Sequence, residues 1–153
     1  FFAGRKEFDG GELCRQLKDG RYFFPFVIYR EHIKDGSNIS MGNSGFEHPC
    51  ELLVKDHKGM LYLTVKTVSA PSFASGRLME GRVQKMQYCG ENGFEDVGKE
   101  GRYIYFPAEV LRFMSMGTGR ENMLHGSVCI KMQSSAGSVH MPESKAVFTL
   151  LIA

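Results

Sequence analysis

Residues Cys50 to Lys55 read CELLVK, Asp56 to Gly59 read DHKG, and Met60 to Val68 read MLYLTVKTV. The last run alternates. Leu61, Leu63 and Val65 point one way, and Tyr62, Thr64 and Lys66 point the other, the period-two pattern of a half-buried strand. Two such runs joined by a short polar turn containing glycine make an antiparallel hairpin.

The same pattern recurs on both sides of the hairpin. Upstream, Arg21 to Arg30 (RYFFPFVIYR) is rich in aromatic and β-branched residues and reads as a strand. Pro25 inside it removes a ladder donor, which predicts a sheet edge or a bulge there. Between the two lies His32 to Gly45, polar and rich in Gly, Ser and Asn, expected as a loop with a helical turn near Asn38–Met41. Downstream, Ala70 to Gly76 reads as a loop and Arg82 to Tyr88 as a weaker strand. Gly90 to Gly101 reads as a turn region, and Arg102 to Pro107 as a strand. Glu109 to Met116 allows one helical turn before the Gly117–Gly119 loop. Gly126 to Met132 reads as a strand, Gln133 to Val139 as a polar turn, and Lys145 to Ala153 as a final, central strand. A short helix is expected near Glu12–Leu17.

Seven or eight short strands with turn signals between them predict an antiparallel β-sandwich. The 153 residues suit one domain. We divide the chain into an N-terminal extension, residues 1–18, packing on the domain edge, and the sandwich proper, residues 19–153. A composition 42% apolar and 24% charged is that of a globule, not of a disordered chain. A net charge of +2 gives no reason to expect nucleic acid or a membrane surface. No apolar run is long enough for a transmembrane helix. The chain begins at Phe1 without a leader, so a processed product or an excised domain is expected, with any signal peptide or wall anchor outside it.

The cysteines are Cys14, Cys50, Cys89 and Cys129, and no pair has zinc-ribbon or thioredoxin spacing. Two disulfides, or four buried free thiols, both fit. No Cys–His nucleophile signature and no carboxylate pair marks an enzyme.

Asp19 to Val68 resembles the NEAT (near-iron-transporter) domain of Gram-positive surface haem-uptake proteins. The residues that carry the likeness are Asp19-Gly20-Arg21-Tyr22, Gly36-Ser37, Ser40-Met41, Phe46 and Pro49, and the hairpin Leu52–Lys55 with Met60–Lys66. Tyr103 to Leu111 (YIYFPAEVL) resembles the family strand ending in Phe-Pro. The resemblance implies an all-β, immunoglobulin-like antiparallel sandwich of about eight strands, with a short helical turn in the Ser-Met loop. It implies non-enzymatic haem capture at the cell surface or in secreted form, with haem passed to neighbouring NEAT domains or haem transporters. The extracellular, Gram-positive cell surface is the location implied. The alternative is a NEAT-like module without haem that binds proteins or serves adhesion.

By the same resemblance, Ser40 matches the serine that bonds a haem propionate, and Met41 the residue covering the distal face. Ile39 and Phe46 would line the slot, Tyr62 would stack on the disc, and Lys145 would stand at the rim. The plainer roles stay open beside these: Ser40 bonding its own backbone, Met41, Ile39 and Phe46 packing the loop, and Tyr62 half-exposed on its strand. The family places a Tyr ligand in the last hairpin with a second Tyr four residues later, whereas this chain has no Tyr after Tyr105. The pair aligns with His140 and Ser144, or with Met141 and Lys145. His140, an imidazole, and Met141, a softer thioether, are both candidate axial ligands, or both are exposed turn residues. Ser37 to Asn43 holds no bulky aromatic, which argues against capture of haemoglobin. A Cys50–Cys129 disulfide across the sandwich is a further expectation.

Overall fold

The computed structural model describes residues 7–34, 37–71, 78–116, 123–136, 139–140 and 143–152. Its first half runs β1 (Glu7–Asp9), α1 (Gly10–Gln16), β2 (Gly20–Phe24), β3 (Phe26–Lys34), β4 (Ser37–Ile39), a 3₁₀ turn (Met41–Gly45), β5 (Cys50–Lys55), β6 (Lys58–Thr64) and β7 (Val68–Pro71). The second half runs β8 (Leu78–Gly90), β9 (Gly93–Asp96), β10 (Gly98–Glu100), β11 (Tyr103–Pro107), a second 3₁₀ turn (Ala108–Val110), β12 (Arg112–Met116), β13 (Met123–Ala136), β14 (Val139–His140) and β15 (Ser144–Ile152). They form two antiparallel sheets. The smaller has the order β10-β11-β6-β5-β2. The larger, of ten strands, runs β1-β12-β13-β15-β3-β4, with β8 on β13, β7 and β9 on β8, and β14 on β13.

The hairpin is β5–β6, with Leu52 opposite Leu61 and Val54 opposite Gly59. Its inward residues Leu52, Leu61 and Leu63 are completely buried. Across the sandwich, the Phe106 ring of β11 meets Phe148 of β15 edge-on at 5.4 Å, and Phe148 stacks on Phe26 at 5.2 Å. Edge-to-face and offset pairs of this kind add to the area they bury. β15 lies between β13 and β3, the central place its apolar sequence predicts.

Several elements depart from the sequence reading. Arg21 to Arg30 is not one strand: Pro25 divides it, β2 joining the smaller sheet and β3 the larger. Proline cannot donate to a ladder. Its carbonyl still accepts from the Leu151 N–H at 2.9 Å, which ties the crossing to β15. The helical turn of the Ser-Met loop falls at Met41–Gly45, after a short strand β4, rather than at Asn38–Met41. Gly90 to Gly101 holds β9 and β10, one on each sheet, because edge strands can be polar throughout. Buried Val97 carries the crossing between them, its N–H donating to Met86 O at 3.2 Å. Ala108–Val110 alone is helical where Glu109 to Met116 was expected to turn, and Arg112–Met116 pairs with β13. Gln133 to Ala136 continues β13 against Gly81–Lys85. The strand segments thus exceed the expected eight. Of the Ala70–Gly76 loop, Ala70 and Pro71 belong to β7, and residues 72–77 lie outside the described set, as does Gly117–Gly119.

β1 pairs with β12 along the edge of the larger sheet, and Phe8 stacks on Phe113 at 5.2 Å. Asp9 caps α1 by accepting from the Glu12 N–H at 2.8 Å. α1 lies so close to the second 3₁₀ turn that a Cβ at Gly10 would stand 1.7 Å from Ala108 O. All four cysteines are free thiols. Cys50 is buried on the inner face of the smaller sheet, donating to Phe24 O at 3.4 Å, whereas Cys129 is exposed on the larger sheet. The expected Cys50–Cys129 bridge is therefore absent. Among the described residues no helix is long and apolar enough to cross a membrane.

Candidate functional site

The Ser-Met loop is pinned to β3 through one residue, Ile28. The Ser40 N–H donates to Ile28 O at 2.8 Å, and the Ile28 N–H donates to Asn43 Oδ1 at 2.9 Å. The Asn43 N–H closes the turn on Ser40 O at 3.0 Å. The Asn43 carbonyl in turn meets His48 Nε2 at 2.8 Å, and the His48 ring lies flat on Phe26, 3.9 Å between centroids. At the far end of the turn, Lys66 N–H donates to Gly45 O and Glu47 N–H to Thr64 O, so the loop is also sewn to the end of β6. Edge backbone that would otherwise be unpaired is thereby satisfied.

This geometry places the predicted residues unequally. Ser40 is half-buried at the entrance of the 3₁₀ turn. Ile39 pairs with Tyr29, and Met41 opens the turn; their side chains lie outside the described set. Phe46 is completely buried and bridges to Val65, so it is a core anchor beneath the loop. Tyr62 is elsewhere. Its register partners are Glu51 and Tyr105, and it tilts against the Tyr105 ring at 5.4 Å on the outer face of the smaller sheet. The structure does not bring it to the Ser40 turn.

The second element is the hairpin made by the end of β13, β14 and the start of β15. His140 stands opposite Ser135, Ser144 opposite Met132, and Lys145 opposite Lys131. Lys145 is exposed, and Lys131 Nζ lies 4.0 Å from a Glu143 carboxylate oxygen. The side chain of His140 and the whole of Met141 lie outside the described set. β8 joins the two elements. Val83 faces Ser134, and the same Val83 side chain would meet a Cβ at Gly45 at 3.2 Å. The Ser40 turn and the hairpin therefore abut one point of β8.

Sequence reasoning missed the pieces that hold this arrangement: Asn43, His48 and Val83, with Arg82 opposite Ser135 and Lys85 opposite Gln133. An Asn in a Gly/Ser loop is a known backbone mimic, so Asn43 carried a signal. The cations Arg82, Lys85 and Lys145 are all exposed, and Lys85 and Lys145 lie in the outward-facing rows of the larger sheet. Among the described residues no group of three or more His, Cys, Asp or Glu could hold a metal ion by itself.

No family model matches the sequence, and no curated protein does. Solved structures do. The NEAT5 domain of IsdX2, a B. anthracis hemophore in complex with heme, is 20% identical, with a TM-score of 0.54, covering 87% of this chain and 96% of that one. A mutant of the same domain in complex with heme is 21% identical, with a TM-score of 0.55, covering 88% of this chain and 96% of that one. The fold of this chain is that of the NEAT domain, the immunoglobulin-like sandwich expected of it.

Proposed function

We propose that the chain is a non-enzymatic haem-binding module of an extracellular iron-acquisition protein, on the cell surface or secreted, that passes haem to a neighbouring carrier. The observation that carries this reading is the pinned Ser40 turn, which meets β8 at Val83 where β8 pairs with Ser134 of the hairpin, on a fold shared with two haem-complexed domains. The chemistry of the donors fits. Haem is a large apolar disc with two carboxylates, so an apolar slot supplies affinity and rim donors fix orientation. Ser40 is the proposed propionate partner, with Met41 and Ile39 on the loop side. His140 is the proposed axial ligand, and Met141 the alternative. His140 is favoured because neutral imidazole is the commoner haem ligand and because its backbone is held in the hairpin ladder opposite Ser135.

The test is an absorbance titration of the apo-protein with hemin, oxidised and then dithionite-reduced, on the wild type and on His140→Ala and Met141→Ala. A saturable Soret band at one equivalent, shifted by His140→Ala, is the expected result. A shift only in Met141→Ala reassigns the ligand. No band beyond free hemin removes the haem reading. That outcome would favour a protein-docking module, for which the exposed Phe23 and Tyr103 on the smaller sheet are the surface to probe.

A further inference from the structure

The two exposed thiols are not scattered. In the antiparallel ladder between β13 and β8, Lys131 faces Gln87 and Ile130 faces Tyr88. One step further along the same register stand Cys129 and Cys89. Ile130 and Tyr88 turn into the core, so their ladder neighbours fall on the outer face, and both cysteines are exposed there. Each is held on its other side, Cys129 opposite Val147 and Cys89 opposite Phe94. The last pair of this ladder, Ile130 with Tyr88, has the Cα separation of an antiparallel pair, about 4.5–5.5 Å, and Cys129 and Cys89 are the next residues beyond its end. A disulfide takes Cα separations of about 4.4–6.8 Å.

The ladder stops at this point for a topological reason. β13 pairs with β8 from Ile130 onward, but with β12 up to Ser127, which faces Arg112. Where the strand changes partner, a cleft of about 660 Å³ opens, and Tyr88, Cys89, Glu95, Arg112, Cys129 and Val147 are among its lining residues. Both thiols thus border a cavity large enough for a small molecule. Cys14 and Cys50, by contrast, are buried.

We propose that Cys89 and Cys129 form a redox pair that closes to a cross-strand disulfide by exchange with a small disulfide of the glutathione class admitted to the cleft. One protein thiolate attacks a sulfur of the small disulfide, forming a mixed disulfide and releasing one small thiolate. The second protein thiolate attacks the protein-bound sulfur, forming the Cys89–Cys129 bond and releasing the second. The protein loses two electrons and two protons, and the small disulfide leaves as two thiols. Closure staples β8 to β13 where their ladder ends, on the same two strands whose Val83–Ser134 pair lies beside Gly45 of the turn.

The experiment equilibrates the full chain with mixtures of oxidised and reduced glutathione, quenches with acid, blocks free thiols and maps the peptides. The expected result is one intramolecular disulfide, linking the peptides that carry Cys89 and Cys129, with Cys14 and Cys50 recovered as thiols. Cys89→Ser and Cys129→Ser should each stop at the mixed disulfide on the remaining cysteine. A wild type that stays reduced, that carries glutathione on both cysteines without linking them, or that links between chains would overturn the proposal. The wild-type map decides the matter even if a variant fails to fold.

Discussion

The side-chain carbonyl of Asn43 accepts a hydrogen bond from the backbone N–H of Ile28 at 2.9 Å, while Ile28 O accepts from Ser40 N–H at 2.8 Å. A strand residue that is completely buried thus spends both backbone groups on a loop. Asn43→Ala leaves the Ile28 N–H buried without a partner, a loss of about 1–3 kcal/mol. Urea unfolding should report that loss, with an unchanged m-value. Asn43→Asp keeps an acceptor and should recover most of it. In the haem reading, Asn43→Ala also weakens hemin binding, because the Ser40 turn loses its peg.

Phe46 separates two roles that the loop sequence left open. It is completely buried and bridges to Val65, so its truncation empties core volume. Phe46→Ala should cost about 3–5 kcal/mol of stability. Phe46→Leu should cost much less. If Phe46 served mainly as a slot wall, the alanine variant would lose hemin affinity with little change in its unfolding midpoint.

Ser40→Ala tests the hydroxyl at the entrance of the turn. The turn is held by the Ser40 backbone N–H and carbonyl, both of which alanine retains. In the haem reading, loss of a hydroxyl donor to a propionate weakens hemin binding by roughly 2- to 10-fold, the equivalent of one hydrogen bond. Equal hemin affinity in the two proteins would remove Ser40 from the site.

Legibility in the sequence followed the range of the interactions. The β5–β6 hairpin is local and alternating, so Leu61, Leu63 and Tyr62 could be assigned their faces. α1 could be placed to within two residues at its N-terminus, because Glu12, Leu13, Arg15 and Gln16 are helix formers that follow Gly10 and Gly11. Pro25 announced an interruption, but not that the chain changes sheet there, since that depends on where β15 lies. The polar end of β13 reads as a turn because its partner, β8, supplies hydrogen bonds from far along the chain. The loop half of the candidate site rested on short spacings around Ser40 and Met41; of the stretch His32 to Gly45 read as a loop, His32–Lys34 continues β3 and Ser37–Ile39 forms β4, and the turn follows them. Its anchors, Asn43 against Ile28 and Gly45 against Val83, needed the tertiary packing. That Cys89 and Cys129 fall together just beyond the end of the β8–β13 ladder is a matter of register between strands that no local pattern encodes.

The buried thiols make stability depend on alkaline pH. Burial pushes the Cys50 thiol up to about 12 and the Cys14 thiol to about 11, against an ordinary value of 9.0. The neutral forms are therefore favoured in the folded chain. Below pH 9 both thiols are protonated in folded and unfolded protein alike, and their contribution is fully present. Above pH 9 the unfolded chain releases these protons while the folded one keeps them. The unfolded state then binds fewer protons, and stability falls as pH rises, until the folded thiols ionise near 11 and 12 in turn. Each thiol contributes a slope of up to about 1.4 kcal/mol per pH unit in that window. The readout is a difference between two proteins, which cancels what they share. Urea unfolding of the wild type and of Cys50→Ala between pH 8 and pH 11, run under reducing conditions, should give curves that converge as pH rises. Cys50→Ala starts less stable but declines less steeply. Parallel curves would show that the Cys50 thiol ionises alike in both states.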